Sequence, residues 1–208
     1  MDFVKRNDKF ISLLVLLLTV IFVFVFTRNF FLSFVSDLPV IAGFTKFFFL
    51  ASIGDFIGIR IKSGYWKIPK KIIYKAIVWG LIGSVIVMVF AIFNNGVIYL
   101  QSSGILPFKD VLFVTAFLTS LFMNVIFAPT MMTFHRVSDT YLDGSGSIEN
   151  AIKTIDWVRF YKVVLLKTIP FFWIPAHTIT FLLPHEYQVI FAAVLGIALG
   201  LLLSLFKK

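Results

Sequence analysis

The side chains of this chain that could do chemistry are few, and the most telling of them stand inside apolar stretches. Asp55 closes the run Leu50-Ala51-Ser52-Ile53-Gly54-Asp55, Asn124 sits in Phe122-Met123-Asn124-Val125, and Lys167, Trp173 and His177 fall within one apolar segment near the C-terminus. An ionisable or amide group in hydrocarbon is expensive, so each of these needs a partner, water or a task. On a helix, Asp55 shares a face with Ala51, Gly58 and Lys62, which aims it at a closely packed or open interior. Lys46, nine residues earlier, falls on the opposite side, so the candidate partners of Asp55 are Lys167 and His177 from another segment. The same carboxylate reads equally well as half of a buried ion pair that fixes helix register. A histidine can switch charge near neutral pH, yet a lone one is more often a hydrogen-bonded neutral ring.

Enzymatic chemistry finds no support in these patterns. Ser52-Ile53-Gly54-Asp55 lacks the first glycine of a Gly-x-Gly-Asp protease motif, and no second Asp lies inside an apolar run. His135, His177 and His185 are dispersed, with no His-Glu-x-x-His spacing, and no phosphate-binding loop occurs. With no cysteine, disulfides, thiol catalysis and cysteine-ligated metals are excluded. No catalytic residue, metal or cofactor is expected, and the chain does not read as an enzyme.

The elements that must position these groups are membrane spans. Of 208 residues, 60% are hydrophobic, and the mean hydropathy is +0.98. Six apolar runs, at about 10–35, 39–61, 72–93, 111–134, 163–183 and 187–206, each approach the roughly 20 residues that cross a bilayer core. The expected architecture is an all-α polytopic membrane helix bundle, one membrane domain over 1–208. Lys5, Arg6 and Lys9 precede the first run, and Arg60, Lys62, Lys67, Lys70, Lys71 and Lys75 lie around the second connection. Arg136, Lys153, Arg159 and Lys162 follow the fourth run, and Lys207 and Lys208 end the chain. Basic loops resist translocation, so an even number of spans with both termini cytoplasmic follows; five spans would put one basic cluster on the wrong side.

The net charge of +9 is therefore a consequence of topology and not a sign of nucleic acid. Lys62, Lys67, Lys70 and Lys71 could hold anionic lipid or gather an anionic solute at a pore mouth. Tyr65, Trp66 and Tyr74 sit among them as interfacial anchors do. Thr27-Arg28-Asn29-Phe30 is no small-residue cleavage site, so the first run is expected to stay as an anchor. Residues 138–147, with Asp143-Gly144-Ser145-Gly146-Ser147, read as a mobile cytoplasmic loop. Ile148, Ile152 and Ile155 then recur at helical spacing, which predicts a short interfacial helix. Gly80 and Gly83, and the repeat Ala192, Gly196, Gly200, Ser204, offer smooth packing faces, with contact inside one bundle favoured over a homo-oligomer. Pro170 and Pro175 free backbone carbonyls and predict a kink, and Asn124 with Pro129 predicts a weaker irregularity. Together these place a polar seam among the second, fourth and fifth runs.

An ordered set of motifs accompanies that seam. Gly54-Asp55, Gly80-x-x-Gly83-Ser84, Met123-Asn124-Val125-Ile126-Phe127-Ala128-Pro129, Asp156-Trp157, Trp173-Ile174-Pro175 and Leu183-Pro184 follow one another over about Phe49 to the C-terminus. The chain thereby resembles the Mpv/Sym/peroxisomal-membrane-protein (Mpv-seventeen) family of small membrane proteins. Ile59, Ser84, Met123, Gln188 and Leu199 stand where that family has Gln, Pro, Asp, Arg and Trp. The resemblance implies a channel-like protein of an organellar membrane. The Lys-, Ile- and Phe-rich composition points instead to a bacterial relative in the cytoplasmic membrane; in a eukaryote the place would be an organellar inner membrane.

The function expected from these readings is a channel or facilitator for small, anionic metabolites. Asp55, Asn124, Lys167, His177 and Trp173 would line or gate its path. Its partners would be membrane lipids and a small-molecule solute, with no nucleic acid. The alternative is a non-transporting scaffold that interacts with lipid through the basic loops and the Gly196/Gly200 face.

Overall fold

The computed structural model describes residues 8–26, 37–68 and 71–205, and everything described that is regular is helical. In chain order the helices are α1 (Asp8–Phe26), α2 (Pro39–Ser63), α3 (Ile72–Ser102), α4 (Leu112–Ile126), α5 (Ala128–Thr140) and α6 (Ile148–Thr154). A π-helix over Phe160–Trp173 then runs into α7 (Ile174–Leu182), and α8 covers His185–Leu205. By length and composition three stretches can cross a membrane, Pro39–Ile61, Ile72–Ser102 and Trp157–Leu182. A fourth joins them if Leu112–Ile126 and Ala128–Ser145, bent by 46°, count as one span. Six spans were expected; the remaining two correspond to shorter apolar stretches, Ile11–Phe22 and His185–Ala198. Part of the first expected span, 27–35, lies outside the described residues, as does Phe206 at the end of the last.

Two compact units make up the chain: residues 1–84 with 189–208, and residues 85–188. In the first, α2 begins with Pro39 at a position where the missing N–H is unneeded. It ends on Gly64, whose φ of 80° is the left-handed conformation that closes a helix, its N–H returning to the Arg60 carbonyl at 2.9 Å. Ala42, Gly43, Lys46, Phe47, Leu50, Ala51 and Gly54 are all buried and recur at three- and four-residue spacing, which is one helix face. That face meets α3 with unusual closeness. A Cβ added to Gly83 would stand 2.4 Å from the Gly43 carbonyl oxygen, and one at Gly80 2.6 Å from the Phe44 ring. Ser84 Oγ adds a hydrogen bond to the Val40 carbonyl at 3.1 Å. On α1, Asp8 accepts from both Arg60 Nε, at 2.6 Å, and Arg60 Nη2, while Trp66 Nε1 donates to Ser12 Oγ at 3.1 Å.

Irregular helices set the second unit apart. α3 was expected to end near Phe93 but runs on past Asn94-Asn95-Gly96 to Ser102, because none of these residues removes a backbone donor. The expected span 111–134 is broken at Phe127, where Pro129 at the start of α5 withholds its N–H from α4. Much of 138–147 is helical: α5 reaches Thr140, a single wide turn covers Tyr141–Ser145, and the break falls at Gly144 (φ 111°) and Gly146 (φ 82°). Ser147 then caps α6, its hydroxyl accepting from the Asn150 N–H at 3.1 Å. Asp156 caps the next helix in the same way, on the Arg159 N–H at 2.9 Å. That helix widens into fourteen π-helical residues containing Pro170, and the Ile174 N–H reaches back five residues to Ile169. Runs of that length are rare, and π-turns concentrate at functional sites.

Candidate functional site

The most extensive helix pairing of the second unit is α4 against α7, and polar side chains lie at its centre. Asn124, Ser120 and Thr119 have no exposed surface, and Thr178 and Thr180 are buried across from them. Asn124 Nδ2 donates to the Ser120 carbonyl at 2.8 Å and to Ser120 Oγ at 3.2 Å. Those two bonds fix the amide, so its Oδ1 is the atom 3.1 Å from His177 Nδ1, and the imidazole nitrogen is the donor. Its Nε2 is thus not needed for that bond. The ring stacks on Trp173 (5.3 Å between centroids, 17° between planes) and meets the edge of Phe90 at 5.9 Å.

Helix irregularity supplies this geometry. At the junction of the π-helix with α7, the Ile174 carbonyl accepts from Ser120 Oγ on α4 and from Thr178 Oγ1 on its own helix, each at 2.7 Å. Two hydroxyls, one from the neighbouring helix, thereby converge on a single carbonyl where the π-helix gives way to α-helix, the kind of side-chain supplement that irregular helices take at membrane depth. Two buried donors are left over, because Thr119 Oγ1 and Trp173 Nε1 have no hydrogen-bond partner. A buried donor without an acceptor costs about 1–3 kcal/mol. A water or an oxygen-bearing solute in the seam would remove that cost.

In the first unit, Asp55 accepts from Trp79 Nε1 on α3 at 2.6 Å. Trp79 was not singled out in the sequence; an indole one α-helical hairpin away was the signal, and several tryptophans compete for that role. Lys46 is buried with 1% of its surface exposed, and among the described residues it makes no hydrogen bond or ion pair. A long cation on a glycine-lined face deserved more weight than its position opposite Asp55 suggested.

Of the residues expected to line a path, Asn124, His177 and Trp173 are brought together. Asp55 belongs to the other unit, and Lys167 is exposed on the π-helix, outside the seam. Lys67 and Lys71 are exposed beside α2 and α3. Lys70 lies outside the described residues, as do the side chain of Lys62 and the surroundings of Gly200. Gly80 and Gly83 form the close contact described above, whereas a Cβ at Gly196 would meet nothing within 4 Å. No group of three His, Cys, Asp or Glu side chains that could hold a metal occurs among the described residues. Compared with protein-family models, curated proteins and solved structures, the chain has no significant match.

Proposed function

We propose that this chain is a membrane channel or facilitator for small anionic metabolites, built from six spans with both termini on the cytoplasmic side. The observation that carries this reading is the seam in which buried Ser120 and Asn124 meet the half-buried His177, between helices of otherwise apolar composition and beside two unpartnered buried donors. A buried amide and hydroxyl joined to a half-buried imidazole give this interface polar groups that could exchange a partner for water or solute, which favours a polar path. The run of basic residues from Arg60 to Lys75 supports an anionic solute, because such a cluster raises the local concentration of anions at the membrane surface. The distribution of Lys and Arg supports the orientation. Asn124, Trp173 and His177 line or gate the path, Asp55 holds Trp79 in place within its own unit, and Lys167 attracts solute from the exposed side. No bond is made or broken in this reading. Membership of the Mpv-seventeen family and a place in a bacterial cytoplasmic membrane belong to the same proposal, on the ordered motifs and the composition.

Flux of size-graded anions and neutral sugars into liposomes containing the purified protein tests it. Anion entry with a size limit, altered in Asn124→Leu, is the expected result. No flux above empty liposomes, with the protein intact, would abandon the path in favour of a lipid-interacting scaffold.

A further inference from the structure

We infer that the groove between α5 and the π-helix holds the glycerol-ester region of one membrane lipid, with Thr130, Thr133 and Tyr161 donating hydrogen bonds to its ester oxygens. The groove, of about 410 Å³, is lined by Pro129, Thr130, Thr133 and Phe134 on α5 and by Tyr161 near the start of the π-helix. Its origin is the way these helices pack. Ala128 and Met132 of α5 turn into a core with Phe160, Leu165 and Ile169. The next face round, where Pro129 and Thr133, and Thr130 and Phe134, stand four residues apart, is left outside that core. Small threonines beside the larger, half-exposed Phe134 and Tyr161 leave the depression.

The hydroxyls point to the occupant. A threonine within a helix commonly donates to the carbonyl four residues back, as Thr45, Thr140, Thr154 and Thr180 do at 2.8–3.0 Å. Thr130 and Thr133 make no such bond, and among the described residues neither they nor the Tyr161 hydroxyl makes any other hydrogen bond. Three donors thus gather in a lining that carries no charge, which suits neutral acceptors. Depth narrows the choice. No Asp, Glu, Lys or Arg occurs from Val111 to His135, and Arg136 and Lys162 stand immediately beyond the groove residues in sequence, where hydrocarbon gives way to headgroups. Tyrosine is an anchoring residue of that boundary, and the ester carbonyls of a glycerolipid lie just inside it. A helix of another protein offers few free acceptors there, because its own backbone carbonyls are already bonded. The volume exceeds the roughly 300 Å³ at which small-molecule sites begin, enough for a glycerol with its two esters. The inference requires only that α5 and the π-helix lie in a bilayer and does not depend on solute flux.

Native mass spectrometry of the full chain in detergent, titrated with diester phosphatidylcholine or its diether analogue of equal chain length, reads this directly. The shared headgroup cancels any pull from Arg136 and Lys162, so the comparison isolates the ester carbonyls. One lipid per chain is expected, with ester preferred over ether by roughly tenfold for two to three hydrogen bonds in lipid. Thr130→Val with Thr133→Val keeps the shape of the groove and should cut the preference to about threefold or less, and adding Tyr161→Phe should remove it. The paired serine variants at Thr130 and Thr133 should retain it. Equal retention of the two lipids by the wild type, or an undiminished preference in the triple variant, would overturn the assignment. If the valine variants do not fold, Tyr161→Phe alone decides, because its half-exposed hydroxyl bonds nothing in the protein: a fall of about two- to threefold supports the site, and an unchanged ratio refutes it.

Discussion

In the first unit α2 and α3 meet where Gly43 and Gly83 have no side chains to hold them apart, whereas in the second α4 and α7 meet across Ser120, Asn124 and His177. Lipid offers helices little hydrophobic reason to associate, so close backbone approach and interhelical hydrogen bonds are the two devices left. Each unit of this chain uses mainly one of them. The glycine contact tolerates no added atom and works with straight helices. The polar contact needs backbone that has been opened, and it coincides with the break at Phe127 and the π-helix before Ile174. A seam that already binds through oxygen and nitrogen can exchange a partner for water or solute; a seam of glycine and phenylalanine cannot.

Breaking the glycine contact should have the largest effect. In Gly83→Leu the new Cβ would lie 2.4 Å from backbone oxygen and 2.5 Å from Phe47 Cβ, and backbone cannot rotate away as a side-chain tip can. A loss of about 3 kcal/mol is expected in detergent-denaturation titrations. A loss under about 1 kcal/mol would mean that the two helices do not approach so closely. Next comes Asn124→Leu, which strands the His177 N–H while Ser120 keeps its bond to the Ile174 carbonyl, and should lose about 1–2 kcal/mol. A double-mutant cycle with His177→Phe should return a coupling of about 0.6–1.7 kcal/mol, and additivity would show that the two side chains do not share a bond.

How far these contacts were legible in the sequence follows the same division. The bounds of α2 could be read to within two residues, because Pro39 starts it and Gly64 stops it. Gly80 and Gly83 stood out by spacing alone. Periodicity and hydropathy register what a helix is made of, not where its hydrogen bonds change from four residues to five, so the π-helix and the 46° bend at Phe127 were invisible beyond a suspicion raised by their prolines. Partners were harder still. Asp55 finds Trp79 and not His177, and Asn124 finds His177 across 53 residues, because pairing depends on helix neighbours that a single sequence does not record.

Two smaller effects sharpen the contrast between charged and neutral partners. Gln101, buried at the end of α3, donates to the Pro107 and Phe108 carbonyls at 3.3 and 3.2 Å and accepts from Thr115 at 2.8 Å. Gln101→Ala should therefore lose about 1 kcal/mol and raise amide exchange across 103–111; unchanged exchange there would show that the loop holds itself. In Asp55→Asn the amide oxygen still accepts from Trp79 Nε1, so only the difference between a charged and a neutral acceptor is lost, about 0.5–1 kcal/mol. The protein should remain extractable and its tryptophan emission little moved. Aggregation instead would make Asp55 a residue that the fold itself cannot do without.

Gly196→Ala should have the smallest effect, and its sign is the informative part. Gly196 stands in a small-residue repeat of α8, which on spacing alone is as good a packing face as Gly80 and Gly83. Its neighbour Ile197 is the residue that faces α2, 3.1 Å from where a Cβ on Gly54 would lie, so Gly196 is turned aside and a methyl there meets nothing within 4 Å. Replacing a helical glycine by alanine without a clash removes freedom from the unfolded chain, so a gain of about 0.5 kcal/mol is expected in the same detergent titrations. A loss comparable to that of Gly83→Leu would show that a second copy of the chain packs on this face, and that α8 shares the glycine device of α2 and α3 between chains and not within one.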